Sequence, residues 1–141
     1  MNIYQKHLLP MIKTTCAALE NTPQMQEILH GEMPMERFRW QIRQNYQYLL
    51  EYTKCWAIGF SKAQGFDEMQ QWFSIVKSTF EDTVAMNRTY WAEQIGATAD
   101  ELESTIMAEK KRSYTAHELA RAFEGDLATC LMGLFPCNVL Y

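Results

Sequence analysis

Glycine and proline are scarce in this sequence, six and four residues in a chain of 141. With so little to break the backbone, and no stretch alternating apolar and polar over a strand's length, sheet-based folds find no support and helix is the reading almost throughout. Positive charge is not in excess either. Thirteen Lys and Arg against seventeen Asp and Glu leave a formal net charge of −4, and no basic stripe forms, which speaks against a nucleic-acid ligand. The densest basic run, Lys110-Lys111-Arg112, reads as a solvated connection between helices. No apolar run approaches the roughly 18 residues of a membrane span, and Pro10 and Lys13 interrupt the early apolar stretch before it resembles a signal-peptide core. A cytoplasmic protein with no membrane partner is therefore expected. Cysteine is limited to Cys16, Cys55, Cys130 and Cys137, without CxxC spacing, so zinc is not suggested and free thiols are expected in a reducing compartment. His7, His30 and His117 are scattered, no ExxH pair of the di-iron bundle type is present, and Glu118 beside His117 has the wrong spacing for one. No metal is expected.

What is present is an ordinary globular composition, 48% hydrophobic and 21% charged, enough for one domain over residues 1–141 with a sizeable core. A first helix is expected from about Ile3 to Leu19. Thr22 as N-cap with Pro23 behind it opens a short second one, which Gly31 stops. A long helix from Met35 to about Gln64, closed by Gly65, follows, then another from Asp67 to about Gln94, stopped by Gly96. Thr98-Ala99-Asp100-Glu101 is a capping box opening a shorter helix. Ser113 starts the next, which ends at Gly125, and Asp126 caps the last. Phe38, Ile42, Asn45, Leu49, Tyr52 and Trp56 form a stripe at three- and four-residue steps on the first long helix. Met69, Trp72, Phe73, Val76 and Phe80 do so on the second. The predicted fold is an all-α bundle around aromatic-rich packing. The methionines fall mostly at helical spacings or in the first third and read as core filling.

Two places carry chemistry. Asn45, Tyr48 and Tyr52 lie at i, i+3 and i+7, so one helix face presents an amide and two phenols. Such polar tips in an apolar stripe form either a hydrogen-bond network across the bundle or the lining of a pocket for a flat heterocycle. At the end of the sequence, Pro136 interrupts an apolar helical run, and Cys137 and Tyr141 are four residues apart on one face. Cys137 is either a small buried residue or a nucleophile with a phenol beside it, and no histidine is fixed near it by spacing.

Several blocks in order resemble one family. Leu29-His30-Gly31-Glu32-Met33-Pro34 followed by Phe38 resembles G-x-L/M-P…F, and Gln44-Asn45-Tyr46-Gln47-Tyr48-Leu49-Leu50-Glu51-Tyr52 resembles Q-D-x-x-Y-L-x-x-Y/F. Ala57 to Ala63 continue that helix in similar style. Ser113-Tyr114-Thr115, the Glu124-Gly125-Asp126-Leu127 turn and Leu134-Phe135-Pro136-Cys137 through Tyr141 resemble Y-T…G-D-L…L-P-C-x-x-x-Y. Together, over roughly residues 25 to 141, the chain is similar to the TenA/THI-4 family, also called thiaminase II or aminopyrimidine aminohydrolase.

That resemblance implies a haem-oxygenase-like helical bundle, usually assembled as a homotetramer, so a homo-oligomer (dimer or tetramer) is expected. It implies hydrolysis of the bond between an aminopyrimidine's methylene and its leaving group, in thiamin or its degradation products, for salvage without a cofactor. By position, Cys137 would be the nucleophile and Tyr141 would orient or activate it, while Tyr48 and Tyr114 would line the pocket, with Tyr52 a further candidate. A thiolate adding to an electron-poor ring lets the leaving group depart from the exocyclic carbon, after which water completes hydrolysis. The family has an aspartate where this chain has Asn45, at the position that bonds the pyrimidine's ring nitrogen and amino group. Replacing a charged acceptor by an amide there costs on the order of 1–2 kcal/mol in a buried site. Family members extend past the P-C-x-x-x-Y block with helices that add a tyrosine and an acid/base glutamate, so the expectation is either a fragment or a naturally short chain, in both cases a C-terminally abbreviated bundle whose open face a partner subunit covers. A non-catalytic member that binds a small heterocycle is the alternative. A cofactorless oxidase or an interaction module on the same bundle ranks third.

Overall fold

The computed structural model describes residues 2–140. Among them every regular element is helical. A π-type turn, Tyr4–Leu8, runs into α1 (Leu9–Glu20), and α2 is Pro23–Leu29. Then come α3 (Met35–Lys62) and α4 (Gly65–Ser78), which continues through π-type segments Thr79–Val84 and Asn87–Trp91 into α5 (Ala92–Gln94). After α6 (Ala99–Glu103) the chain enters α7 (Glu109–Phe123) and α8 (Leu127–Leu140). The all-α bundle expected from the sequence is the fold observed, and no helix among the described residues is long and apolar enough to cross a membrane.

The 28-residue α3 is the spine, about 42 Å long at 1.5 Å per residue. It packs against α4, α6, α7, α8 and both π-type segments. Its buried face holds Ile42, Tyr46, Tyr48, Leu49, Tyr52, Cys55 and Trp56, and the core closes over it with Trp72, Leu102, Ala122, Cys130 and Leu134. At Gly59 the approach is so close that a Cβ would lie 2.0 Å from the Trp72 ring, so any larger residue here must displace that packed ring.

Polar side chains of α3 reach out to fix the loops. The buried Gln44 donates to the Ile106 carbonyl at 2.9 Å and accepts from the Ala108 N–H at 2.7 Å. Gln47 donates to the Leu102 carbonyl at 2.7 Å. Lys62 holds the end of α7 and the turn beyond it through the Phe123 and Gly125 carbonyls, at 3.1 and 2.8 Å. These bonds satisfy backbone carbonyls and N–H groups that the helix ends and turns leave without intrahelical partners.

The expected caps are in place. Thr22 accepts from Met25 N–H, Thr98 and Glu101 form the reciprocal capping box, and Asp126 accepts from Thr129 N–H at 2.9 Å. Three expectations need correction. Gly65, with φ +77°, starts α4 rather than closing α3, which ends at Lys62. Along α4 and the π-type segment that follows it, only Trp72 of the expected stripe is buried, while Met69, Phe73 and Phe80 are exposed and Val76 is intermediate. Finally, α7 begins at Glu109 rather than Ser113, so Lys110-Lys111-Arg112 forms its first turn instead of a connection. The buried Gln44 amide organises the preceding loop and lets the helix start a turn earlier than its side chains suggest.

Candidate active site

The centre of α3, the stretch of α7 from Lys111 to Glu118 and the C-terminal half of α8 meet around one carboxyl, one thiol and three phenols. Tyr48 and Tyr52 follow one another on the buried face of α3, their rings stacked with centroids 5.5 Å apart. Tyr114 of α7 also stacks with Tyr48, their centroids 6.0 Å apart. Cys137 of α8 lies within hydrogen-bonding reach of the Tyr48 and Tyr52 hydroxyls. Pro136 beside it, inside α8, has no N–H to give the carbonyl one turn back. The Tyr48 hydroxyl also donates to Glu118 Oε1 at 3.1 Å, and Tyr114 interacts with the same carboxyl. Lys111 completes the group, its ammonium 5.3 Å from the centroid of the Tyr48 ring, a cation–π geometry.

The electrostatics follow from burial. Glu118 is only 1% exposed, and desolvation pushes its carboxyl up to about 7, against hydrogen bonds from Tyr48 and Tyr114 that favour the charged form. Its Oε2 is buried and meets no hydrogen-bond partner. Burial also raises Cys137, and the Glu118 charge adds to this, while hydrogen bonds from Tyr48 and Tyr52 and the Lys111 charge act in the opposite sense. Tyr48 and Tyr52 are raised far above the ordinary phenol range, chiefly by desolvation, so both act as neutral donors and acceptors. Desolvation lowers Lys111.

Of the residues singled out in the sequence, Tyr48, Tyr52, Tyr114 and Cys137 are thus brought together. Asn45, one turn before Tyr48, engages a different neighbour: its amide donates to Asn87 Oδ1 at 3.3 Å, and Asn87 in turn donates to the Thr83 carbonyl. Tyr141 lies outside the described residues. Sequence reasoning missed Glu118 and Lys111. The signal was the i−3 and i+4 spacing of these residues about Tyr114, which puts all three on one face of α7. Among the described residues no three His, Cys, Asp or Glu side chains cluster as metal ligands would. Two surface clefts, one lined by Met33, Arg37 and Trp40 and the other by His117, Arg121 and Met132, lie apart from the thiol cluster in their lining.

A family model described as TENA/THI-4/PQQC matches residues 18–141. The chain belongs to the TENA/THI-4/PQQC family. Relatives named aminopyrimidine aminohydrolase are similar to it at 28% identity. That of Halalkalibacterium halodurans aligns over 121 residues, 86% of this chain and 54% of the relative. That of Helicobacter pylori aligns over 119 residues, 84% and 54%, and that of Bacillus subtilis over 119 residues, 84% and 50%. The chain therefore spans about half the length of these curated relatives. In fold it is similar to a solved structure described as a TenA family transcription regulator from Silicibacter sp. TM1040, with TM-score 0.71, 22% identity, and coverage of 89% of this chain and 59% of that one. This TENA/THI-4/PQQC bundle carries its thiol–phenol cluster at the junction of α3, α7 and α8.

Proposed function

We propose that the chain supplies the nucleophile and ring-binding face of an aminopyrimidine hydrolase acting in thiamin salvage. The observation that carries this reading is the convergence of Cys137 with Tyr48 and Tyr52 from a different helix, beside the stacked Tyr114. The names of the relatives supply the substrate class.

In this reading the Cys137 thiolate adds to an electron-poor carbon of the pyrimidine ring. The ring's electrons then expel the amine from the exocyclic methylene, the amine taking a proton as it leaves. Water adds to that methylene, and loss of the thiolate restores the ring. Tyr48 and Tyr52, kept neutral by burial, donate hydrogen bonds to the thiolate, and Tyr114, stacked against Tyr48, offers an aromatic face to the substrate ring. Asn45 meets the polar edge of the pyrimidine with one donor and one acceptor in place of a carboxylate, and Tyr141 orients the thiol. The four unpaired cysteines suit a reducing cytoplasm. Exposed apolar side chains such as Phe66, Phe73 and Phe80 suit association between copies. The test is incubation with 4-amino-5-aminomethyl-2-methylpyrimidine, following ammonia and the hydroxymethyl product. Turnover by the parent that vanishes in Cys137→Ala is expected; a parent that releases no ammonia rejects the reading.

The neutral Asn45–Asn87 pair favours a second reading, a heterocycle-binding protein without turnover. It requires a pyrimidine-dependent thermal shift in both the parent and Cys137→Ala.

A further inference from the structure

Burial holds Cys137 as a thiol, so any reaction that uses its sulfur needs somewhere for the proton to go. His117 lines a surface cleft between α7 and α8, and the Lys111 ammonium has no lone pair to offer. The structure places one acceptor in line. We propose that Glu118 takes the Cys137 proton through the Tyr48 hydroxyl, so that carboxyl, phenol and thiol work as a single proton-transfer unit. This rests on the reading of Cys137 as a nucleophile and assigns that site its base.

Three observations carry it. The Tyr48 hydroxyl is shared: it donates to Glu118 Oε1 at 3.1 Å and lies within hydrogen-bonding reach of the thiol. Glu118 is fully enclosed, in a position where a carboxyl is costly unless it has a task. Its second oxygen is buried and meets no hydrogen-bond partner, so no donor there eases the carboxylate charge, and the group as a whole is the readier to take a proton at Oε1.

The transfer balances. The Cys137 S–H proton moves to the Tyr48 oxygen while Tyr48's own hydroxyl proton moves to Glu118 Oε1. The products are a thiolate, a neutral phenol and a neutral carboxylic acid, and the cluster's charge is the same before and after. No tyrosinate forms, in keeping with the upward pressure of burial on Tyr48. The carboxylate charge that opposes ionisation of Cys137 disappears in the same step. Lys111, whose positive charge acts on Cys137, then faces the thiolate. Glu118 titrates near neutrality, where a base both accepts a proton readily and is present in its basic form. The titratable groups around it are Tyr48, Tyr52 and Cys55 on α3, Lys111 and Tyr114 on α7, and Cys137 on α8.

Alkylation of Cys137 by iodoacetamide, located by peptide mass spectrometry in a Cys16→Ser background, reads the thiolate without any substrate. The pH profile from 5 to 10 would be compared for the parent, Glu118→Gln and Tyr48→Phe. The expected result is slowing on the order of tenfold or more at pH 7 in both variants, with rates converging at high pH. The sign is decisive. If Glu118 acted only as a structural or repelling charge, Glu118→Gln would leave alkylation unchanged or accelerate it, and either result overturns the proposal. Should Glu118→Gln fold poorly, Tyr48→Phe carries the same test alone, since an unchanged profile there removes the relay. Failure of the aminopyrimidine assay together with slowed alkylation would reject the hydrolase reading and leave the proton path standing; the reverse pattern would reject the path and keep the hydrolase.

Discussion

Glu118 makes stability itself depend on pH in a way that one substitution should erase. Its ordinary midpoint is 4.5 and the folded protein moves it to about 7. The folded state therefore holds the proton more tightly than the unfolded chain. That contribution is complete below about pH 4.5, declines as pH rises, and is lost once pH passes through the folded midpoint near 7, where the enclosed carboxyl must ionise. With about 1.4 kcal/mol for each tenfold change in proton affinity, the loss across this window is about 3 kcal/mol. The residue is 1% exposed, so solvent screening does little to reduce it. Glu118→Gln keeps an oxygen to accept from Tyr48 but has no charge at any pH. Urea unfolding at half-unit steps from pH 4.5 to 8 should show the variant gaining on the parent by about 3 kcal/mol from one end to the other, equivalent to about 6–12 °C in Tm. Groups common to both proteins cancel in the difference, and so does a constant offset from the amide. A gap that stays flat across the window would refute the claim that this carboxyl is buried and raised.

Other outcomes follow from single contacts. Gly59→Ala should destabilise by about 2 kcal/mol despite the better helix propensity of alanine, because the added methyl meets the packed Trp72 ring; chemical denaturation with tryptophan fluorescence checks it, and a stabilised variant would contradict the packing. Gln44→Leu should cost about 2–4 kcal/mol by orphaning the Ala108 N–H and the Ile106 carbonyl, and hydrogen exchange at Ala108 should accelerate; an unchanged exchange rate would count against the clamp. Thr98→Ala should cost about 1 kcal/mol through loss of the capping box, measured by thermal unfolding, and no change in Tm would indicate that α6 does not depend on its cap.

How much of this could be read from the letters varies with how local the cause is. The caps at Thr22, Thr98 and Asp126 are set by neighbours three residues away, and sequence reasoning placed them correctly. The stripe from Ile42 to Trp56 was legible for the same reason: α3 is packed against several partners, so periodicity and burial coincide. Along α4 and the π-type segment that follows it they do not. Phe73 and Phe80 repeat at helical spacing yet stay exposed, because periodicity marks an apolar face without saying what covers it. Spacing put Tyr48 and Tyr52 on one face, but their meeting with Cys137 was anticipated only through resemblance to a family. Glu118 and Lys111 were passed over because each was weighed against its sequence neighbours, His117 and a basic run. Their roles depend on which face of α7 turns toward Tyr48, which is decided by Gln44 from a position 62 to 64 residues away.

Gln44 has a consequence for how this half of the bundle tolerates change. A single side-chain amide pins Ile106 and Ala108, so the phase at which α7 leaves the loop is set by an indel-sensitive ruler rather than by the helix's own sequence. Each residue added between Ala108 and Lys111 would rotate the rest of α7 by about 100°. Lys111, Tyr114 and Glu118 would swing together away from the sulfur while the helix itself remained intact. Insertions there should leave circular dichroism almost unaltered and separate the three side chains from Cys137 all at once, whereas insertions after Gly125 would displace the sulfur and spare the trio.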